Sequence, residues 1–226
     1  NKSSGTSLSL IGVTYGNNKF FTMLGTMSSS TGTVLTSSNG TSWDNRSSGT
    51  TSNLIGITYG NSKFLTLTGL MDNGTASPAT VLTSANGTSW ASTSATCSSC
   101  GTDNVSINDV TYGNSTYVAV GQSGKILTSS DGTSWTSRTS GTTSSPIGIT
   151  YGNSKFLTLT GTMDDGTDSP ATVLTSANGT SWTSTSATCS SCGTDNVSLN
   201  DVTFGNGIYV AVGPSGKILS SSDGTS

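Results

Sequence analysis

Four cysteines stand in two identical pairs, Cys97-Ser-Ser-Cys100 and Cys189-Ser-Ser-Cys192, the spacing that zinc and redox chemistry both use. A structural zinc would need the pairs to meet, or histidines to complete its shell, and the chain has no histidine. A thioredoxin-like redox site places its CxxC at the opening of a helix, and no helical periodicity surrounds either pair. Two local disulfides remain, each stapling its own loop. They place the chain in an oxidising compartment, secreted or at the cell surface.

The acids are all aspartate, and with no His and no Glu the commonest general base and one of the usual carboxylates are missing. The densest group is Asp164-Asp165-Gly166-Thr167-Asp168. Hard oxygen ligands at short spacing suit calcium, but the match is far weaker than an EF-hand loop. A solvated acidic turn is the favoured reading; no cofactor is otherwise implied. Asp103, Asn104, Asn108 and Asp109, with their copies Asp195, Asn196, Asn200 and Asp201, form the other polar group and are the candidate ligand contacts.

What positions these residues is a repeat. Trp43, Trp90, Trp135 and Trp182 lie 47, 45 and 47 residues apart, each closing a phrase such as SANGTSW. One unit reads LIGITYGNSKFLTLTG…ATVLTSANGTSW. Alternation at Ile55, Ile57 and Tyr59 predicts a strand, Gly60-Asn61-Ser62 a turn, Phe64–Leu67 a second strand and Val81–Thr83 a third. Asn86-Gly87 predicts a hairpin leading into a fourth. Four short antiparallel strands in roughly 45 residues is the period of a propeller blade. The fold class is therefore all-β, a five-bladed β-propeller forming a single domain over 1–226. Its blades run approximately 1–43, 44–90, 91–135, 136–182 and 183–226.

The fifth copy of the phrase stops at Ser226, before its tryptophan, while Asn1-Lys2-Ser3-Ser4-Gly5-Thr6 resembles Asn45-Arg46-Ser47-Ser48-Gly49-Thr50. This register predicts a ring closed by an outer strand shared between the two termini, which would pair an open edge; the alternative is a natural chain that runs on past Ser226 into further repeats. Residues 55–134 and 147–226 align without a gap and match at 70 of 80 positions, so a two-blade cassette is duplicated. Each cassette carries two long loops, and both are expected on one face. Asp109 and Asp201 replace the glycine found at the same place in the other blades (Gly12, Gly56, Gly148), at the start of the innermost strand. Capping of backbone N–H groups is the favoured role for them, with a ligand contact as the alternative.

The phrases Ser129–Trp135 and Ser221–Ser226 resemble the Asp-box, or BNR, hairpin of sialidase-like and sortilin-like propellers, and the surrounding VTYGNSTYVAVGQSGKILTSSDGTSW resembles blades of bacterial secreted propeller proteins. Asp and Gly adjoin here where the usual pattern separates them by one residue. The resemblance implies structural roles for Asn39, Asn86, Asp131, Asn178 and Asp223, which would tie the hairpins, and for Trp43, Trp90, Trp135 and Trp182, which would pack within the blades. Sialidases of this fold need three arginines and a glutamate-assisted tyrosine; Arg46 and Arg138 are the only arginines.

No catalysis is expected on these grounds. With a formal charge of −3 and scattered Lys and Arg, there is no basic stripe for nucleic acid, and no apolar run is long enough to span a membrane. The expected function is non-catalytic extracellular recognition, lectin-like or adhesive, of a carbohydrate or cell-surface ligand through the long-loop face. The alternative is a structural subunit that self-assembles into a fibre or surface layer; a glycosidase-like enzyme is the least favoured reading.

Overall fold

The computed structural model describes residues 6, 9–24, 32–68, 79–97, 99–100, 106–160, 172–187 and 199–225. Blade 1 holds β1 (Leu10–Gly16), β2 (Lys19–Leu24), β3 (Thr33–Ser37) and β4 (Asp44–Ser47), and blade 2 holds β5 (Leu54–Gly60), β6 (Lys63–Thr68), β7 (Thr80–Ser84) and β8 (Ala91–Ser94). After a two-residue strand β9 (Thr96–Cys97), blade 3 holds β10 (Ile107–Gly113), β11 (Thr116–Gly121), β12 (Lys125–Ser129) and β13 (Ser134–Arg138). Blade 4 holds β14 (Pro146–Gly152), β15 (Lys155–Thr160), β16 (Thr172–Ser176) and β17 (Thr183–Ser186); blade 5 holds β18 (Asp201–Gly205), β19 (Ile208–Val212) and β20 (Ile218–Ser221).

Each blade is an antiparallel meander in chain order, as the short turns require. The first turn of every blade places two successive residues at positive φ, Asn61 and Ser62 in blade 2 for example, the geometry of a type I′ hairpin. The third connection is built by a serine and an Asn or Asp two residues on. Asp131 Oδ1 accepts the Thr133 and Ser134 N–H groups at 2.7 and 2.8 Å, and the Ser129 hydroxyl donates to it while accepting the Gly132 N–H. Asn39, Asn86 and Asn178 accept the corresponding pairs of N–H groups, and Asp223 accepts from Thr225.

β1 packs on β5, β5 on β10, β10 on β14 and β14 on β18, so the first strand of each blade faces the axis. The apolar residues accordingly form four clusters between blades instead of one core. The first joins Phe21, Met23 and Val34 to Leu54, Ile57, Phe64 and Leu82. The second joins Leu65, Leu67 and Val81 to Val110, Tyr117 and Trp135. The third joins Val118, Val120 and Ile126 to Ile149, Phe156 and Leu174, and the fourth Leu157, Leu159 and Val173 to Leu199, Val202 and Tyr209. This is how a chain with so few large apolar residues still buries them.

At every one of these junctions an aromatic ring lies on the glycine ending the previous blade's first strand. A Cβ at Gly16 would fall inside the Tyr59 ring, at Gly60 inside Tyr112, at Gly113 inside Tyr151 and at Gly152 inside Phe204. Gly205, at the same place in blade 5, meets nothing within 4 Å.

The shared closing strand expected from the two termini falls on residues outside those described. The fifth sheet ends at β20, residues 1–5 and 226 lie outside those described, and β18 does not pack on β1 as the other neighbours pack.

Gly113→Ala should lower stability by about 1–3 kcal/mol, the usual cost of overpacking, whereas Gly205→Ala should change it by less than about 0.5 kcal/mol. Urea unfolding of both variants in dilute solution checks the contrast.

Candidate functional site at the start of the inner strands

The first strand of each of the first four blades carries a one-residue bulge near its start, a device that re-aims side chains at a rim. In blade 3 the bulge presents Asn108 and Asp109. Asn108 Nδ2 donates to the Pro146 carbonyl of blade 4 at 2.6 Å. Asp109 Oδ1 accepts its neighbour Val110 N–H at 2.8 Å, and Oδ2 accepts the Ile149 N–H of blade 4 at 2.9 Å. The preceding blade leaves room for this carboxyl through Gly56, where a Cβ would come within 2.6 Å of Asp109 Oδ1.

Blade 5 repeats the arrangement with its outer half empty. Asp201 Oδ1 accepts the Val202 N–H at 2.7 Å and rests against Gly148, where a Cβ would fall on it. The Oδ2 oxygen of Asp201 makes no hydrogen bond within the described residues, and the residue is exposed. Asp109 and Asp201 therefore converge on blade 4 from opposite sides, one holding the Ile149 N–H and the other lying against Gly148. Sequence reasoning singled out both aspartates through the Gly-to-Asp exchange but gave no sign of Pro146, Gly148 and Ile149 as their counterparts. Those contacts cross between blades and leave no local pattern.

Electrostatics set the two carboxyls apart from ordinary ones. Burial raises the Asp109 pKa from 3.8 to about 7, the Ile149 N–H opposes the shift, the negative charge of Asp201 adds to it and the Val110 N–H opposes it. Asp201, exposed as a residue but with its inner oxygen lodged against Gly148, is raised as well by loss of solvent there, opposed by the Val202 N–H. Asp131 goes the other way: the Ser134 and Thr133 N–H groups hold it well below the usual carboxylate range.

The remaining expected positions divide clearly. Asp103, Asn104, Asp195, Asn196, the Asp164–Asp165–Asp168 group and the pair Cys189–Cys192 lie outside the described residues. Among the described residues no group of three or more acids or cysteines could hold a metal ion. Cys97 and Cys100 form a disulfide. Its loop lies along the outer edge of blade 3, with β9 pairing parallel to β13 and the Ser99 hydroxyl accepting the Ser137 N–H at 2.8 Å. Both cysteines pack on the cluster that contains Trp135. The Trp135 and Trp182 indole N–H groups donate to the Gly132 and Gly179 carbonyls at 3.1 and 2.9 Å, while Trp90 Nε1 is buried without a partner. Trp43 is half-buried beside β4.

No protein-family model matches the chain, and no curated protein matches it. Solved structures do. The chain superposes on YCF48 bound to D1 peptide with a TM-score of 0.60 at 15% identity, over 96% of its own length and 64% of that chain, so it spans less than two thirds of that relative. It superposes on a putative glycosidase from Bacteroides thetaiotaomicron with a TM-score of 0.56 at 10% identity, over 92% of its length and 84% of that chain. An exo-β-1,3-galactanase from Phanerochaete chrysosporium with galactose gives 0.56 at 12% identity, over 89% and 55%.

These likenesses correct one expectation. The lack of His and Glu and the incomplete sialidase triad argued that the chain is no enzyme, yet glycosidases are among the structures it superposes on. The sialidase test was too narrow, because it asked for one enzyme's residues on a fold that several hydrolases use. At 10–12% identity the kinship is one of fold and defines no activity. In the same terms, no helix among the described residues is long and apolar enough to cross a membrane. The superpositions on solved structures establish that the chain has the fold of five β-propeller blades.

The raised pKa of Asp109 has a signed consequence. Its contribution to stability is fully present below the unfolded value of 3.8 and is lost as pH rises through about 7. Between pH 5 and 8 the wild type should lose on the order of 2 kcal/mol more than Asp109→Asn does, since the Asp131 shift acts only at lower pH. Urea unfolding at the two pH values measures it; equal losses would sink the assignment.

Proposed function

We propose that the chain is an extracellular carbohydrate-recognition propeller, lectin-like or adhesive, whose ligand contacts lie where the inner strands begin. The observation that carries this reading is the open carboxylate oxygen of Asp201 at the start of β18, across blade 4 from Asp109. By antiparallel topology, the loops entering each blade and those joining its second and third strands meet at this end. A carboxylate with one anchored and one open oxygen accepts hydrogen bonds from sugar hydroxyls in a fixed direction. That one propeller of this architecture is described with galactose supports a sugar as the ligand class.

The Asp-box-like hairpins support a scaffold role for the repeated Asn and Asp positions, leaving recognition to the other end of the blades. The Cys97–Cys100 disulfide supports an oxidising, extracellular setting. Calcium at Asp164–Asp168 is a subsidiary proposal, resting on the spacing of those acids alone.

A glycan array that includes β-1,3-galactan oligosaccharides, read with calcium and with chelator, tests the reading. Saturable binding weakened at least about tenfold by Asp201→Asn, a loss of roughly 1.4 kcal/mol, is the expected result. Loss with chelator alone moves the site to the acidic loop. Release of reducing ends from a bound oligosaccharide would make the site hydrolytic and overturn a purely recognising role. A blank across all glycans at high protein concentration overturns the carbohydrate reading.

A further inference from the structure

Blades 1 and 5 end the arc with the two halves of one unfilled interface. Among the described residues the exposed large hydrophobics are confined to these two blades: Leu10, Ile11, Val13 and Tyr15 on β1, and Ile208, Val212 and Ile218 on blade 5. In blades 2 to 4 the equivalent positions are covered by a neighbour. An exposed apolar face restricted to two edges marks an interaction surface.

The two edges match residue by residue, on the template of the four filled junctions. Tyr59, Tyr112, Tyr151 and Phe204 each cover the glycine of the blade before; Tyr15, their equivalent, is 56% exposed, and Gly205 meets nothing. Phe21, Leu65, Val118 and Leu157 each sit against the hairpin glycine of the blade after; Gly40 meets only Phe20 of its own blade, leaving Val210 as its counterpart. Asp109 holds the Ile149 N–H of the next blade; the position equivalent to Ile149 in blade 1 is the exposed Val13, whose N–H is the matching donor for the open oxygen of Asp201 once the two edges are joined.

We propose that these edges join between two copies of this chain, head to tail, blade 5 of one copy packing on blade 1 of the next through Gly205 and Tyr15. Closure within one chain would require the four filled junctions to shift together. At each of them a ring already lies so close to a glycine that no Cβ could be admitted, so the angle between blades has little slack. A second copy meets the same edges with no such change. The contact is heterologous, so it propagates into a larger ring or a filament.

Light scattering of the wild type over a concentration series should give a mass rising above the 22.7 kDa of one chain. Gly205→Leu should stay at 22.7 kDa throughout, with unchanged melting at dilution, because a side chain there meets nothing in its own copy. Single variants Tyr15→Cys and Gly205→Cys, mixed and mildly oxidised, should cross-link only in the mixture. A wild type that stays monomeric at every concentration overturns the proposal. So does a rise in mass that Gly205→Leu leaves intact, or a double-cysteine chain that links only to itself.

Discussion

The seating of an aromatic ring on the last glycine of the preceding blade's first strand is the contact on which the rest of the structure depends. It fixes how closely successive inner strands approach, and thereby where every between-blade cluster forms. Tyr117 and Tyr209 extend the contact by donating their hydroxyls to the Gly60 and Gly152 carbonyls at 2.7 Å, and burial pushes the pKa of both phenols up. The outer turns add a second tie at the same junctions, where Lys63 and Lys155 donate to the Asp131 and Asp223 carbonyls of the next blade. Asn17 and Asn114 make the corresponding bond to Ala85 and Ala177. With only 8% of its residues charged, the chain relies on such short polar ties and on packing instead of ion pairs. Its one ion pair among the described residues, Arg46 with Asp44, is on the surface, where such pairs contribute little.

The same close approach fits the order of residues within the two-blade repeat. An aspartate at the start of an inner strand needs a glycine at the equivalent place in the blade before it, because no Cβ fits beside its carboxyl: Gly56 before Asp109, and Gly148 before Asp201. Asp could not occupy that place in successive blades without pressing carboxyl against Cβ. Wherever an Asp stands at this place the blade before it carries Gly, and the two-blade cassette keeps that order at both copies. Duplicating the cassette also places both carboxyls around blade 4, close enough for the charge of Asp201 to raise Asp109.

What the sequence made legible is what depends on near neighbours along the chain. The tryptophan period, the alternation in Ile55–Tyr59 and the Asn-Gly turns led to four-stranded blades, and the strands lie where those signals put them. The Gly-to-Asp exchange also led to Asp109 and Asp201. Contacts between blades were not legible: Ile149 as a partner of Asp109, and the aromatic-on-glycine seats. Each joins residues far apart in sequence through the angle between sheets, which no local pattern encodes. The CxxC loop falls between these cases. Its disulfide was legible from the spacing of Cys97 and Cys100, but β9, only two residues long, has no periodicity to announce that the loop would lie against β13.

Asp201 ties the proposed recognition to the proposed assembly. The oxygen left open toward a sugar hydroxyl is the one that, in Asp109, holds the N–H of the next blade. A ligand bound there and a second copy docked there compete for one lone pair and one side of β18, so each must weaken the other by the same free energy. Only the last blade of an arc has this choice. Asp109, inside the arc, has both oxygens committed to backbone and can serve only as the clasp. Recognition through Asp201 would therefore be strongest in the free chain and would fall as edges are joined. A single residue type, placed twice by duplication, thus acquires two roles according to whether its outer oxygen is met by a neighbouring blade.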